Sequence, residues 1–257
     1  MGDLMRQVIV VAWPGLGIGV ADDVPSKADK RAELQRVATY VGKLEAPTLA
    51  WLGLGNVATI RGVEPATPPA ASHGRVAAVS QLDMLIGDAA RAIVASGRLV
   101  HLVGGAADSM QIPGAVAHPQ NSQSALERAA DLVQSSQSAL VVVVPNSDEH
   151  PTSASPVTAA RAVQRLDAEL ARLFDRLQGR EDVLVLLTST PSGGQARVPD
   201  PGPGTSPQWA PVLAHLGAVP SGIPLGDRKP SDLGATAAEA LGASTSSGQS
   251  FLAELLA

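Results

Sequence analysis

The strongest constraint on the fold is a set of short, unbroken apolar runs separated by helical stretches. The clearest run is ALVVVVP (139–145), and QVIVVAW (7–13), LVHLVGG (99–105) and DVLVLLTS (182–189) are similar in length. Strands that are apolar on both faces are typical of parallel sheets with helices on both sides, because such strands are buried on both faces. The pattern therefore predicts an α/β fold with a mostly parallel sheet and helices on both faces.

The segments between these runs carry helix signals. Ser155 followed by Pro156 is a typical start for the longest helix, and Ser231 or Asp232 is a candidate cap for the last one. The predicted helices are 27–44, 82–97, 121–137, 155–179 and 231–242, with a further candidate strand at 210–216. Two stretches rich in Pro, Gly and Ser, 63–74 and 190–208, are interpreted as loops because apolar runs resume beyond them. We therefore predict one domain over residues 1–257.

Composition excludes several classes of function. Aromatic residues make up only 2% of the chain and the formal net charge is −5, which argues against a nucleic-acid partner. The chain has no cysteine, so disulfides, thiolate catalysis and cysteine-ligated metals are excluded, and a cytoplasmic location is predicted. No apolar run approaches the roughly 18 residues expected of a membrane span, so no membrane association is predicted.

The loops after the predicted strands are the places to look for chemistry, because sites in such sheets lie at the carboxyl ends of the strands. Gly15, Gly17 and Gly19 follow the first run, but their spacing lacks the last interval of G-x-G-x-x-G and the next helix begins late. A turn that needs small residues is favoured over a dinucleotide site. Ser189 and Thr190 end another run without a G-x-S-x-G context, which argues against a serine hydrolase.

Histidines and carboxylates offer one further candidate site. Asp148, Glu149 and His150 follow the most apolar run, where either a metal or acid–base site or a solvated loop is consistent with the sequence. His101 and His215 lie inside apolar runs and are expected to be core or face residues.

Five segments, in order, resemble the phosphopentomutases of the alkaline phosphatase superfamily. In APTLAWLGLGNVATIRGV (46–63), Pro47, Leu49, Leu52 to Asn56, Gly62 and Val63 match that family's Pro-Asn-Leu-x-x-Leu-Gly-Leu-Gly-Asn-Ile segment and the residues after it. ASHGRVAAVS (71–80) is similar to a second family segment. The others are Gly17 to Gly19, PLGDRKPSDLGATAAEALG (224–242) and GQSFL (248–252). The resemblance implies the alkaline phosphatase-like core.

The same resemblance implies a metalloenzyme whose site this chain has lost. These enzymes use two divalent metals and a phosphorylatable threonine. The positions that match their metal ligands hold residues that bind hard cations poorly or not at all, and Glu33 falls on or beside the position that matches the threonine nucleophile. The degenerate positions are Pro14, Glu33, Ser147, Thr152, Ser189, Thr190 and Thr205. No metal and no cofactor is therefore predicted.

The family's cap domain is also missing from the sequence. After Ser80 the chain continues directly into the predicted helix 82–97, so a capless, non-catalytic pseudoenzyme with a binding or scaffolding role is the favoured interpretation. Its partner is predicted to be a second copy or another protein at the uncapped surface, with Leu85, Ile86, Ile93 and Val94 as a candidate exposed edge. Two further functions stay open: re-sited chemistry near the old site, and a small-molecule site in the glycine-rich loop. The candidates for the re-sited chemistry are Asp148, Glu149, His150, Asp22, Asp23 and Glu33.

Overall fold

The computed structural model describes residues 5–20, 33–79, 81–119, 123–135, 140–145, 155–190, 208–217 and 222–257. The strands in these ranges are β1 Gln7–Pro14, β2 Gly19–Val20, β3 Ser72–Ala77, β4 Val100–Gly104, β5 Val116–His118, β6 Leu140–Val144, β7 Val183–Thr190, β8 Gln208–Leu216 and β9 Pro224–Arg228. The helices are α1 Glu33–Val41, α2 Pro47–Leu52, α3 Leu54–Val57, α4 Asp88–Ala95, α5 Gly105–Ser109, α6 Ala125–Gln134, α7 Pro156–Leu177, α8 Pro230–Ala240 and α9 Leu252–Leu255.

All the described strands join one sheet, in the order β5-β4-β6-β1-β7-β8-β3-β9, with β2 paired to β8. Five neighbouring strands of this sheet, β5, β4, β6, β1 and β7, are parallel to one another. Strand β8 is antiparallel to both of its neighbours β7 and β3, so β3 runs in the same direction as β7. The carboxyl ends of β1, β3, β4, β5, β6 and β7 therefore lie at the same edge of the sheet.

Helices cover both faces of this sheet. Ile9, Val11 and Trp13 of β1 point into a core shared with α1, α2, α3, α6 and α7. Val8, Val10 and Ala12 point to the opposite side, into a core shared with α4, α8 and α9. The predicted α/β architecture is confirmed. No helix within the described ranges has the length and apolar character needed to cross a membrane.

Helix starts follow local capping chemistry, with one correction. Ser155 caps α7 as predicted, and its Oγ accepts a hydrogen bond from the Thr158 N–H. The prediction of Ser231 or Asp232 as the cap of α8 was wrong. Lys229 is the capping position, and Asp232 lies in the first turn, where its carboxylate accepts from the Lys229 N–H at 2.9 Å. The preference of proline for the first helical position moved this start toward Pro230.

Helix α1 is shorter than the predicted helix 27–44. It ends at Val41 because Gly42 takes a φ of 84°, which is left-handed, and Leu44 follows in an irregular segment. Residues 27–32 lie outside the described residues.

The connection between β3 and β4 contains the predicted helix, and Ser80 in this connection lies outside the described residues. A π-helical turn, Asp83–Gly87, leads directly into α4. The prediction that its apolar side chains form an exposed edge was wrong: Leu85, Ile86 and Ile93 are buried and Val94 is half-buried. Helix α8 covers them, and Gly234 allows its backbone to lie close to the Leu85 carbonyl oxygen.

Candidate functional site

Three of the predicted degenerate positions lie together at the carboxyl edge of the sheet. Strands β1 and β7 pair in register, so Pro14 lies opposite Thr190 and Trp13 lies opposite Ser189. The Gly15 N–H continues this pairing by donating to the Thr190 carbonyl oxygen at 3.1 Å. The ends of two adjacent parallel strands, about 4.8 Å apart, thus carry Pro14, Ser189 and Thr190.

The other predicted positions are not all placed. Glu33 is the first residue of α1, which packs against α7 on the Trp13 side of the sheet. Ser147, Asp148, His150, Thr152 and Thr205 lie outside the described residues, as do Asp22 and Asp23.

The strand ends at β1 and β7 carry no charge. Pro14 is buried and has no N–H and no side-chain donor or acceptor. Ser189 donates its hydroxyl to the Thr190 carbonyl oxygen at 3.0 Å. Among the described residues, no group of three or more His, Asp or Glu could hold a metal ion. Pro14, Ser189 and Thr190 therefore do not fit the divalent metals of the resembled family, which need carboxylate or imidazole ligands.

The glycine-rich run after β1 has a structural role in the sheet. The Ile18 N–H donates to the Trp209 carbonyl oxygen, and Gly19 then pairs with Trp209 as part of β2. The chain thus passes from β1 across the end of β7 to reach β8. No helix begins in the described part of this run, residues 15–20, where a dinucleotide site would need a helix N-terminus.

The LGLGN segment (52–56), which resembles the phosphopentomutases, contains residues whose backbone geometry and hydrogen bonds shape the chain locally. Gly53 has a φ of 101° and separates α2 from α3, a conformation that side chains rarely adopt. A Cβ on Gly55 would lie 2.6 Å from the Glu64 carbonyl carbon. The Asn56 side chain bonds both backbone groups of Ala66, donating at 3.0 Å and accepting at 2.9 Å. The segment fixes the loop that leads to β3.

Replacing Asn56 with alanine is expected to lower the free energy of unfolding by about 1 kcal/mol, since two partly solvated hydrogen bonds are lost. Chemical denaturation measures this change. Asn56→Asp is the matched control, because it keeps the acceptor and loses the donor, so its loss should be smaller. Equal stability of Asn56→Ala and the unmodified protein would show that Asn56 does not hold the loop.

The carboxyl-terminal segments that resemble the family also form a structural unit. Asp232 is 6% exposed and accepts from the Gln249 N–H at 2.8 Å as well as from Lys229. The Thr236 hydroxyl donates to the Asp232 carbonyl oxygen and accepts from the Phe251 N–H. A Cβ on Gly248 would clash with the Ser231 carbonyl oxygen. These residues fasten the end of the chain to α8.

A second polar cluster lies at the edge strand β5 and was not expected from the sequence. His101 Nδ1 lies 2.9 Å from His118 Nε2, and an Arg128 guanidinium nitrogen lies 3.4 Å from His118 Nδ1. His101 is buried, as predicted. The pairing was missed because β5 has only three residues, too few to show an alternating pattern, and its pairing with β4 is what brings the two histidines together.

Sequence comparison connects part of this chain to the phosphopentomutases. No family model matches the chain. The phosphopentomutase of Syntrophotalea carbinolica is 36% identical over 72 residues, 28% of this chain and 18% of that protein. The phosphopentomutase of Symbiobacterium thermophilum is 36% identical over 77 residues, 30% of this chain and 20% of that protein. The matched segment thus spans about a fifth of the length of these curated relatives.

Structure comparison gives the fold over nearly the whole chain. An alkaline phosphatase superfamily protein from Vibrio parahaemolyticus matches with a TM-score of 0.54 at 10% identity, over 100% of this chain and 72% of that one. A phosphonate monoester hydrolase of Agrobacterium radiobacter matches with a TM-score of 0.56 at 10% identity, over 97% and 77%. At this identity the likeness concerns the fold alone. Part of this chain is thus similar in sequence to phosphopentomutases, and its fold is similar to that of alkaline phosphatase superfamily proteins.

Proposed function

We propose that this chain is a non-catalytic, phosphopentomutase-like pseudoenzyme that acts by binding or scaffolding. The observation that carries the proposal is a contrast within the molecule. Gly55, Asn56 and Gly248 match residues of the resembled family. In this chain they allow close backbone approaches or hold a loop by hydrogen bonds. Pro14, Ser189 and Thr190 occupy strand ends that match metal ligands of the family, and they supply neither carboxylate nor imidazole.

The chemistry explains why this contrast supports loss of catalysis. Transfer of a phosphoryl group by two metals needs charged ligands to hold the metals and stabilise the developing negative charge. A proline offers no ligand atom from its side chain, and neutral hydroxyls bind divalent cations weakly. Replacement of several ligands at once leaves such a site without the charge that positions the metals.

Re-sited chemistry is the second candidate function, and the sheet order favours it over a small-molecule site in the glycine-rich loop. Strand β6 lies beside β1 and ends at Val144, close to the end of β1, and residues 146–154 follow it in the sequence. Asp148 and His150 are in that following segment, outside the described residues. A shift of one to three residues in the family match would bring one of them to a ligand position.

The decisive experiment is a phosphate-ester turnover assay, for both phosphomutase and phosphatase activity, with added manganese or zinc. We expect no turnover above the rate without protein. A phosphopentomutase run in parallel is the positive control. Manganese-dependent turnover that is lost in Asp148→Ala would overturn the proposal and establish the re-sited chemistry.

The proposed binding role includes self-association or a protein partner at the surface left without a cap. Since Leu85, Ile86 and Ile93 are buried, the contact must use other side chains, and Met84 is 58% exposed in the same helical segment. Light scattering at high protein concentration, with a pull-down, measures this association. A monodisperse monomer without a partner would count against it.

A further inference from the structure

A cavity of about 270 Å³ lies at the carboxyl end of β4 and β5. Its walls include the His118 and Arg128 side chains, together with Gly104 at the end of β4 and Ala125 at the start of α6. In the sheet, β5 is separated from β1 by β4 and β6. The cavity is therefore separate from the strand ends that carry Pro14 and Thr190.

Arg128 brings a positive charge to this cavity and forms no ion pair with a described carboxylate. Among the described residues, no Asp or Glu oxygen lies within 4.0 Å of its guanidinium group. The two acidic residues near Arg128 on α6 form ion pairs with arginines of α7. Glu127 pairs with Arg172 at 3.0 Å, and Asp131 pairs with Arg176 at 2.6 Å. Asp131 also accepts from the Gln123 amide at 2.7 Å, and both Gln123 and Arg128 line the cavity.

The two histidines form a chain of hydrogen bonds with Arg128, in which Arg128 donates to His118 and His118 donates to His101. A guanidinium group can only donate hydrogen bonds, so His118 Nδ1 accepts from Arg128. His118 Nε2 then carries the proton and donates to His101 Nδ1 at 2.9 Å. Both imidazoles are neutral in this arrangement. Burial lowers the pKa of His118 and of His101, and the nearby charge of Arg128 lowers both further.

The N-terminus of α6 adds a further positive end. Ser124 caps the helix by accepting from the Glu127 N–H at 3.1 Å, and Ala125 in the first turn contacts the cavity. The first backbone N–H groups of a helix lack partners inside the helix and favour anions. At the β4 end the cavity is lined by Val103 and Gly104, and a Cβ on Gly104 would clash with the Val144 carbonyl oxygen.

We propose that this cavity binds the anionic group of a small ligand, a phosphate or a carboxylate, through Arg128 and His118. The volume of about 270 Å³ is just below the usual range of about 300–1,000 Å³ for ligand pockets, so a small ligand fits. On binding, Arg128 turns its donors to the anion, and His118 Nδ1 takes a proton from solvent and becomes a donor as well. The proposal goes beyond loss of catalysis and does not depend on it.

Proton uptake makes the binding dependent on pH. The titratable groups at this place are His101 of β4 and His118 of β5; the charged side chains are Arg128, Glu127 and Asp131 of α6. Arg172 and Arg176 of α7 hold the two carboxylates. An anion stabilises the protonated imidazole, so it raises the pKa of His118. Affinity is therefore expected to increase as the pH falls toward the pKa of His118.

The test follows the imidazole NMR signals of the whole protein during titration with inorganic phosphate and, separately, with acetate. Saturable shifts of the His118 and His101 signals are expected with at least one of the two, and which anion saturates assigns phosphate or carboxylate. Arg128→Gln is expected to weaken binding at least about tenfold. Arg61→Gln, the same charge change in the loop before β3 at the opposite side of the sheet, should leave it unchanged.

Two results would overturn the proposal. One is an absence of His118 shifts with either anion up to roughly 50 mM, which is weaker than the affinity of a specific site. The other is equal affinity of Arg128→Gln and the unmodified protein. Circular dichroism confirms that each variant is folded. The measurement does not involve turnover, so its outcome is independent of the phosphate-ester assay.

Discussion

Replacing Phe251 with alanine is expected to lower the free energy of unfolding by about 4 kcal/mol, in the range known for large aromatic side chains removed from a core. Phe251 is completely buried, in the core formed with α4 and α8. The Arg228 guanidinium lies over its ring, 5.3 Å from the centroid. Because its backbone is held by Thr236 at 3.0 Å, the surrounding chain cannot readily close the cavity that the substitution leaves.

Denaturant unfolding followed by circular dichroism measures the change. Leu256→Ala is the matched control, since Leu256 is 50% exposed in the same carboxyl-terminal segment and its truncation should cost little. A loss below about 1 kcal/mol in Phe251→Ala would show that the end of the chain contributes little to the core.

The sequence predicted the central strands well because their burial on both faces leaves a direct signature. The runs at 7–13, 139–145 and 182–189 correspond to β1, β6 and β7 within one residue at each end. Nothing comparable marks β5 or β9, whose residues are largely exposed and whose place is set by pairing with β4 and β3. Elements of this kind are determined by tertiary contacts rather than by local pattern.

The error about helix 82–97 has a similar physical origin. Its apolar residues have no partner nearby in the sequence, because the helix that covers them is far away along the chain. Helix α8 begins at Pro230, and the close approach depends on Gly234, which leaves space at the Leu85 carbonyl oxygen. A single sequence contains no signal for which helix pairs with which.

One candidate site could be predicted from the sequence and the other could not, for the same reason. Pro14, Ser189 and Thr190 could be predicted to converge because each ends a recognisable parallel strand, and the carboxyl ends of such strands share an edge. The cluster of His101, His118 and Arg128 could not be predicted, since it needs the register of a three-residue strand and the rotation of α6.

Replacing Asp167 with alanine is the second substitution with a large expected effect, a loss of about 3 kcal/mol in the free energy of unfolding. Asp167 belongs to α7 but caps a different helix. Its carboxylate, 4% exposed, accepts from the Leu49 N–H at 2.7 Å and from the Thr48 N–H at 3.1 Å. Ala46 precedes α2 and offers no side-chain cap, so the substitution leaves two N–H groups unpaired and removes a charge from a helix N-terminus.

Chemical denaturation again gives the measurement, with two variants for comparison. Asp167→Asn keeps one accepting oxygen, so its loss should fall between zero and that of Asp167→Ala. Asp175→Ala, at an exposed position of the same helix, should change stability by less than about 0.5 kcal/mol. If Asp167→Ala matched this control, the contact between α7 and α2 would not hold the LGLGN segment in place. A large loss would mean that α7 positions α2, and with it the segment that most closely resembles the phosphopentomutases. That resemblance would then reflect the demands of folding, which a protein retains whether or not it keeps its catalytic metals.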